Sequence, residues 1–281
     1  MGTMSTDEAF QVKLPANLEP YRPYLQSHAR RVAALFPHGM TVQNENHIPK
    51  RIVANPTGSR LGGAAFITKE HPWPRDRLGR RMLFVAQINL ADMPPLEGFR
   101  SEGLLQFFIG DHGYFGIDNA DFDTHNYANP HNSCVRYIPV KEYLNGQLLG
   151  GIKTQTNTIE NGFFELSAKP FDQYPSRHDS TFVNMVWSDP SVSNGLIDAT
   201  SELPHIGPPA VFGGGWAAFA QRDPVGFCHS HRPLLQIRSN HGPRNKPRIQ
   251  WGDCGFATFF IRPEDLERWD FSEVAYYWDC Y

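Results

Sequence analysis

The chain nearly repeats itself. Leu61-Gly62-Gly63, Val85-Ala86-Gln87-Ile88 and Leu104-Leu105-Gln106-Phe107-Phe108-Ile109 are answered later by Phe212-Gly213-Gly214, Leu234-Leu235-Gln236-Ile237 and Phe256-Ala257-Thr258-Phe259-Phe260-Ile261. Gly213 lies 151 residues after Gly62, Gln236 149 after Gln87, and Phe259 152 after Phe107. Three landmarks in one order at nearly one displacement predict an internal duplication. The expected fold class is therefore α+β, with two similar sheet-containing halves packed as one compact unit, an N-terminal helix and inserted loops. A length of 281 residues accommodates two fused halves.

Element by element, the apolar pattern divides the chain further. Residues 1–16 are polar and expected to be flexible. From Asn17, which suits a helix cap, Leu18, Tyr21, Leu25, Val32, Leu35 and Phe36 recur at spacings of three, four and seven. That stripe predicts a helix over 17–39, stopped by Pro37-His38-Gly39. Strands are expected at Ile52 to Ala54, Met82 to Asn89, Leu104 to Ile109, Val135 to Ile138, Phe182 to Trp187 and Val274 to Trp278, with a short helix from Pro263 to Trp269. The first repeat then spans 50–150 with an inserted loop, a linking insertion spans 151–205, and the second repeat spans 206–281. The polar stretches from Gly110 to Asn132 and from Asn145 to Asn161 have no counterpart in the second half, and such excursions are where specificity usually resides.

The bulk chemistry excludes several functions. Hydrophobic residues at 40 % and charged residues at 20 % support a folded core rather than disorder. With a net charge of −3 and one short basic cluster (Arg75, Arg77, Arg80 and Arg81, interrupted by Asp76), no nucleic-acid partner is expected. Cys134, Cys228, Cys254 and Cys280 form no C-x-x-C pair, which fits reduced thiols in a cytoplasmic protein. No stretch suits a signal peptide or a membrane span, so no membrane partner is expected.

A family resemblance rests on landmarks in both halves. Ser59-Arg60-Leu61-Gly62-Gly63, Pro72-Trp73-Pro74, Ala86-Gln87-Ile88-Asn89-Leu90 and Gly103-Leu104-Leu105-Gln106-Phe107-Phe108 come first. Ile249-Gln250-Trp251-Gly252-Asp253-Cys254-Gly255, Phe259-Phe260-Ile261, Asp265-Leu266 and Trp278-Asp279-Cys280 follow. In this order, over roughly residues 50 to 281, the chain resembles the bacterial YwqG-like family. The resemblance implies a duplicated α+β fold with no agreed catalytic residues. It also implies a candidate role as an immunity protein that blocks a secreted toxin. At the shared positions the expected roles are structural. Gly62, Gly63, Gly213 and Gly214 permit positive φ or close approach, Trp73 plugs a core, and Gln87 and Gln236 are amides that must find partners. Trp251, Gly252 and Asp253 complete the set.

Constellations that carry chemistry are sparse. Asp118, Asp121, Asp123 and His125 fall within eight residues. Oxygen ligands with an imidazole can hold a cation, but the segment lacks the glycine and distant Glu of an EF-hand. Cys228-His229-Ser230-His231 lacks the paired spacing of a zinc site, and Asp253-Cys254 are chain neighbours that rarely face one substrate. No metal, cofactor or catalytic residue is therefore assigned. The leading expectation is a non-catalytic cytoplasmic binding protein, in its sharper form an immunity protein that neutralises a toxin domain by direct protein–protein contact. If that toxin is basic, Asp118, Asp121, Asp123 and Glu160, with His125, form the candidate partner-binding surface. The alternatives are a metal-assisted hydrolase using the Asp118–His125 cluster, and a small-molecule sensor with a pocket between the halves.

Overall fold

The computed structural model describes residues 9–42, 48–125, 127–150, 162–223, 226–240 and 249–281. Twelve strands are described: β1 (Arg30–Val42), β2 (Arg60–Gly62), β3 (Ala65–Ile67), β4 (Leu83–Asn89), β5 (Leu104–Ile109), β6 (Ser133–Ile138), β7 (Gln147–Leu149), β8 (Gly162–Gln173), β9 (Ala210–Phe212), β10 (Arg232–Arg238), β11 (Phe256–Ile261) and β12 (Ala275–Asp279). The helices are short: α1 (Arg22–Ser27), α2 (Lys50–Ala54), α3 (Asn119–Thr124), α4 (Ser180–Ser188), α5 (Gly195–Ala199), α6 (Leu203–Ile206), α7 (Phe227–Ser230) and α8 (Pro263–Arg268).

Ten strands form one antiparallel sheet in the order β12-β11-β10-β9-β1-β8-β2-β4-β5-β6, and β3 pairs with β7 in a second, two-stranded sheet. The long strands β1 and β8 pair at the centre of the large sheet. Outward from them, β9, β10, β11 and β12 on one side stand where β2, β4, β5 and β6 stand on the other. The repeated landmarks thus fall at matching places in the strand order. Phe107 of β5 meets Phe259 of β11 edge to face at 5.1 Å, so the sheet curls until its two wings touch across the core. Leu61, Ala86, Leu105, Phe212, Leu235 and Ala257 line that interior.

The seam between the end strands β6 and β12 is stitched by the excursion that follows β5. Tyr276 of β12 donates its backbone N–H to Tyr127 O at 2.9 Å, and Trp278 donates its indole N–H to Tyr114 O at 2.7 Å. At the other end Tyr137 of β6 packs against Trp269 at 5.6 Å. The result is a nearly closed sheet whose last strand is not left as a bare edge.

Four expectations are corrected. The predicted helix over 17–39 is a 3-10 turn, Ala16–Tyr21, then α1, and it ends at Ser27; Arg30 onward is β1, the strand between β8 and β9. Val32, Ala33, Ala34 and Leu35 are all buried because both faces of β1 are covered. A continuous apolar run of this kind satisfies a helical stripe and a central strand equally well. Ile52 to Ala54 is not a strand but part of α2, entered through Pro49. Phe182 to Trp187 belongs to α4, whose N-cap Asp179 accepts the Thr181 N–H at 2.9 Å and whose buried Phe182 and Val186 are one turn apart. Finally, 151–205 is more than a link, because β8 supplies half of the central pair.

Close backbone approach between β11 and β12 yields two predictions. A Cβ on Gly255 would lie 1.9 Å from the Asp279 carbonyl oxygen. Gly255→Ala should therefore destabilise the protein by about 1–3 kcal/mol in urea unfolding, as forced overpacking does. Asp279, 6 % exposed, accepts backbone N–H bonds from Ala220 and Gln221, both at 2.9 Å. Burial nevertheless pushes its carboxyl up to about 6, against 3.8 for the free group. The native state then binds more protons than the unfolded chain across that window, so stability falls as pH rises from about 4 to about 6, by ~3 kcal/mol from this group. The slope should be absent from urea midpoints of Asp279→Asn measured over the same range.

Candidate functional site

One cross-strand row on the outer face organises the first half. His38 of β1 is in register with Glu165 of β8, Glu165 with Arg60 of β2, and Arg60 with Gln87 of β4. Gln87 in turn pairs with Gln106 of β5, and Gln106 with Arg136 of β6. Six polar residues in one row over six strands is unusual, because such a face is normally apolar wherever it is covered. From Arg60 to Arg136 this one is covered, by the chain from Pro56 to Pro72 folding back over it, while His38 is exposed.

The row holds that returning chain. Arg60 is 2 % exposed, and its guanidinium donates to the carbonyls of Ala64 (2.8 Å), Gly58 (2.9 Å) and Pro56 (3.0 Å) and to Gln87 Oε1 (3.4 Å). Gln87 donates its amide to Gly58 O and Pro56 O, and its Oε1 also receives the Phe66 N–H and the Gln106 amide. Gln106 donates to Phe66 O at 2.6 Å and accepts from Arg136 Nε at 3.0 Å, while Arg136 Nη1 bonds Pro72 O. Burial pulls the guanidinium of Arg60 down to about 9 and that of Arg136 to about 10, so both remain charged at neutral pH. The second half keeps one part of this device: Gln236 Oε1 accepts the Ala218 N–H at 2.8 Å, as Gln87 accepts that of Phe66. Its row otherwise reads Val211, Gln236, Thr258 and Tyr277.

Beside the row lies a cleft of about 640 Å³, within the range of ligand sites. It opens where β2 ends at Arg60 while β8 runs on. Arg51, Ile52 and Asn55 of α2 and its C-cap form one wall, Asp92, Met93, Pro94 and Pro95 another, and Ser59, Glu165, Leu166 and Ala168 the floor. Arg51, Glu165 and Asp92 in it already have partners. Arg51 meets Glu165 at 3.2 Å and donates to Gly39 O. Asp92 accepts from the Ser59 hydroxyl at 2.8 Å and from its N–H at 3.3 Å. The place in the second half lined by Ala210, Val211 and Gln236 is filled by Pro208, Pro209 and Trp216, leaving about 40 Å³, room for a few waters.

The residues singled out by sequence go elsewhere. Asp118 caps α3 in a reciprocal box with Asp121, pairs with Arg77, and lies 3.3 Å from His112 Nδ1. Asp121, 8 % exposed, accepts from Asp118 N at 3.0 Å and from the Asn129 amide at 3.2 Å. Asp123 falls within α3, His125 is its exposed left-handed C-cap, and Glu160 lies outside the described residues. Among the described residues no three His, Cys, Asp or Glu side chains are grouped to hold a metal ion. Trp73 donates to Met82 O at 2.7 Å and packs on Phe108. Gly62, Gly63, Gly213 and Gly214 all take positive φ, and a Cβ on Gly213 would fall 2.4 Å from Leu96. Trp251 is fully buried, a Cβ on Gly252 would meet Cys280 Sγ at 2.5 Å, and Asp253 Oδ1 accepts from the Cys254 and Tyr281 N–H groups. Cys228 and His229 sit on α7, with the Cys228 thiol pushed upward by burial.

The cleft residues Arg51, Asp92 and Glu165 were missed, since five separate segments contribute to the lining. The one local signal was Arg60, a cation set between Ser59 and the apolar Leu61.

Residues 59–280 match the family described as Domain of unknown function (DUF1963), and the chain belongs to it. Comparison with curated proteins returns no match. Among the described residues no helix is long and apolar enough to cross a membrane.

Removing Arg60 strands the carbonyls of Pro56, Gly58 and Ala64. Arg60→Met should cost about 3–5 kcal/mol in urea unfolding, the scale of breaking a buried charged network. Arg60→Lys should recover little, because one ammonium cannot span three diverging acceptors.

Proposed function

We propose that this chain is a non-catalytic binding protein that engages a protein partner through the cleft beside β8. In its sharper form, which draws on the resemblance to the YwqG-like family, the partner is a secreted bacterial toxin domain neutralised in the cytoplasm. The observation that carries the binding reading is the pairing of the cleft's charges. Arg51 is paired with Glu165, and Asp92 holds the hydroxyl and N–H of the buried Ser59, whereas the half-buried Met93 and Pro94 offer apolar surface for contact. The hydrolase reading draws no support from Asp118 and Asp121, whose carboxylates cap α3.

A sensor of small molecules is favoured by one observation, the volume of the cleft. Titration calorimetry separates the two. The protein reading expects a one-to-one complex of nanomolar Kd with the toxin domain encoded beside this chain. Arg51→Glu should weaken that complex at least tenfold while leaving the fold intact, since an exposed pair adds only about 0–1 kcal/mol of stability. Failure to form any complex with that domain would overturn the toxin version. Saturable heat from a metabolite set, abolished by Arg51→Glu, would favour the sensor.

A further inference from the structure

Two arginines meet at one end of the second wing. Arg30 opens β1 and Arg232 opens β10, with β9 between them. Phe212 of β9 is level with Ala33 on one side and with Leu235 on the other. Three residues back along each outer strand, Arg30 and Arg232 therefore flank the turn Gly213-Gly214-Gly215, their backbones two strand spacings or about 10 Å apart. Both side chains are half-buried. Arg30 donates through Nη1 to Gly215 O at 3.0 Å, and its Cζ lies 3.4 Å from the centroid of the Trp216 ring. That indole is itself fixed, by its Nε1–H to His28 O and its backbone N–H to Gln173 Oε1, both at 2.9 Å. Arg232 donates through Nη1 to Cys228 O at 3.2 Å and to His231 O at 3.4 Å. Burial first, then the neighbouring charge of Arg232, pulls the Arg30 guanidinium down to about 10, so it remains a cation at neutral pH and feels the second one.

Other arginines of the chain are answered from within it. Arg31 pairs with Asp172 and Arg262 with Asp265, and Arg60 uses Nε, Nη1 and Nη2 on carbonyls and Gln87. Among the described residues neither Arg30 nor Arg232 is ion-paired with a carboxylate, and each uses only Nη1. The carboxylate that acts on Arg30 from nearby is Asp179, 1 % exposed, and its oxygens already take the Thr181 N–H at 2.9 Å and the Ala217 N–H at 3.2 Å. We propose that Arg30 and Arg232 together bind a phosphoryl group, each guanidinium offering its Nε and Nη2 edge to the oxygens. Two like charges held side by side repel, and an anion between them removes that cost. A phosphate monoester carries a charge of about −1.5 to −2 and three acceptor oxygens, which matches two cationic forks where a carboxylate matches one. A Cβ on Gly214 would meet nothing within 4 Å, so the turn between the arginines leaves room for the group. This site is in the opposite wing from the cleft and does not rest on the partner-binding reading.

The probe is inorganic phosphate titrated into the full chain near neutral pH, read on the isotope-labelled arginine Nε–H resonances, with phenyl phosphate and acetate titrated in parallel. The Arg30 and Arg232 resonances should shift together and saturate, with Kd at or below about 1 mM. Arg232→Gln should weaken phosphate binding at least tenfold. Arg30→Lys, which keeps the charge and loses the fork, should weaken it at least threefold, and acetate should bind at least tenfold more weakly than phosphate. Tighter binding of phenyl phosphate than of phosphate would make a monoester the ligand, and equal or weaker binding would make it free phosphate. Should Arg232→Gln misfold, having lost its hold on Cys228 and His231, the resonance shifts and Arg30→Lys still decide. No saturation with either phosphate, acetate binding as tightly as phosphate, or binding that leaves the Arg30 and Arg232 resonances unmoved would overturn the proposal. Any of those results would leave the cleft reading where it stands.

Discussion

Arg60 is the residue on which the first half depends. A guanidinium with almost no solvent contact and no carboxylate among its hydrogen-bond partners survives only because three carbonyls and a glutamine surround it. Those carbonyls belong to the chain on either side of β2, so the cation and the loop hold each other in place. Gln87, Gln106 and Arg136 extend the arrangement over two further strands and to Pro72. Each amide in the row uses both its donor and its acceptor, which limits the cost of burying them, although Nη2 of Arg136 is buried without a partner among the described residues.

The same demand explains why the two wings differ. Where the first has Arg60 opposite Gln87, the second has Val211 opposite Gln236, and one amide-to-backbone bond suffices to hold the returning chain at Ala218. Without a buried cation to surround, the second wing closes with prolines and Trp216 and keeps only a small cavity. In the first, the chain that cages Arg60 pairs with β8 only as far as Leu166, and the cleft lies beyond that point. The buried cation and the larger space lie in the same wing.

Much of the framework was legible. β4, β5, β6, α8 and β12 fall within a residue or two of their expected bounds; β4, β5 and β6 are runs ended by Asn89, Gly110 and Pro139, and α8 is announced by Pro263 at its first turn. The matching landmarks fall at matching places in the sheet. β1 was illegible for a specific reason: Val32 to Leu35 is apolar throughout, and such a run carries no period. α4 was misread because Asp179, which caps it, stands before a sequence rich in β-branched and aromatic residues. The cleft was invisible because His38, Arg51, Ser59, Asp92 and Glu165 meet only through tertiary structure. The Asp118–Asp121 pair looked like chemistry, and its carboxylates serve a helix end instead.

The central pairing of β1 with β8 has a consequence for how the molecule comes into being. Arg30 must wait for Gln173, and the seam at Tyr127 must wait for Tyr276, 149 residues further on. Neither wing owns all of its neighbours, so no early portion of the nascent chain closes on itself. Closure of the sheet is postponed until the strands of both wings have been made, and it proceeds at the slow pace that distant strand partners impose.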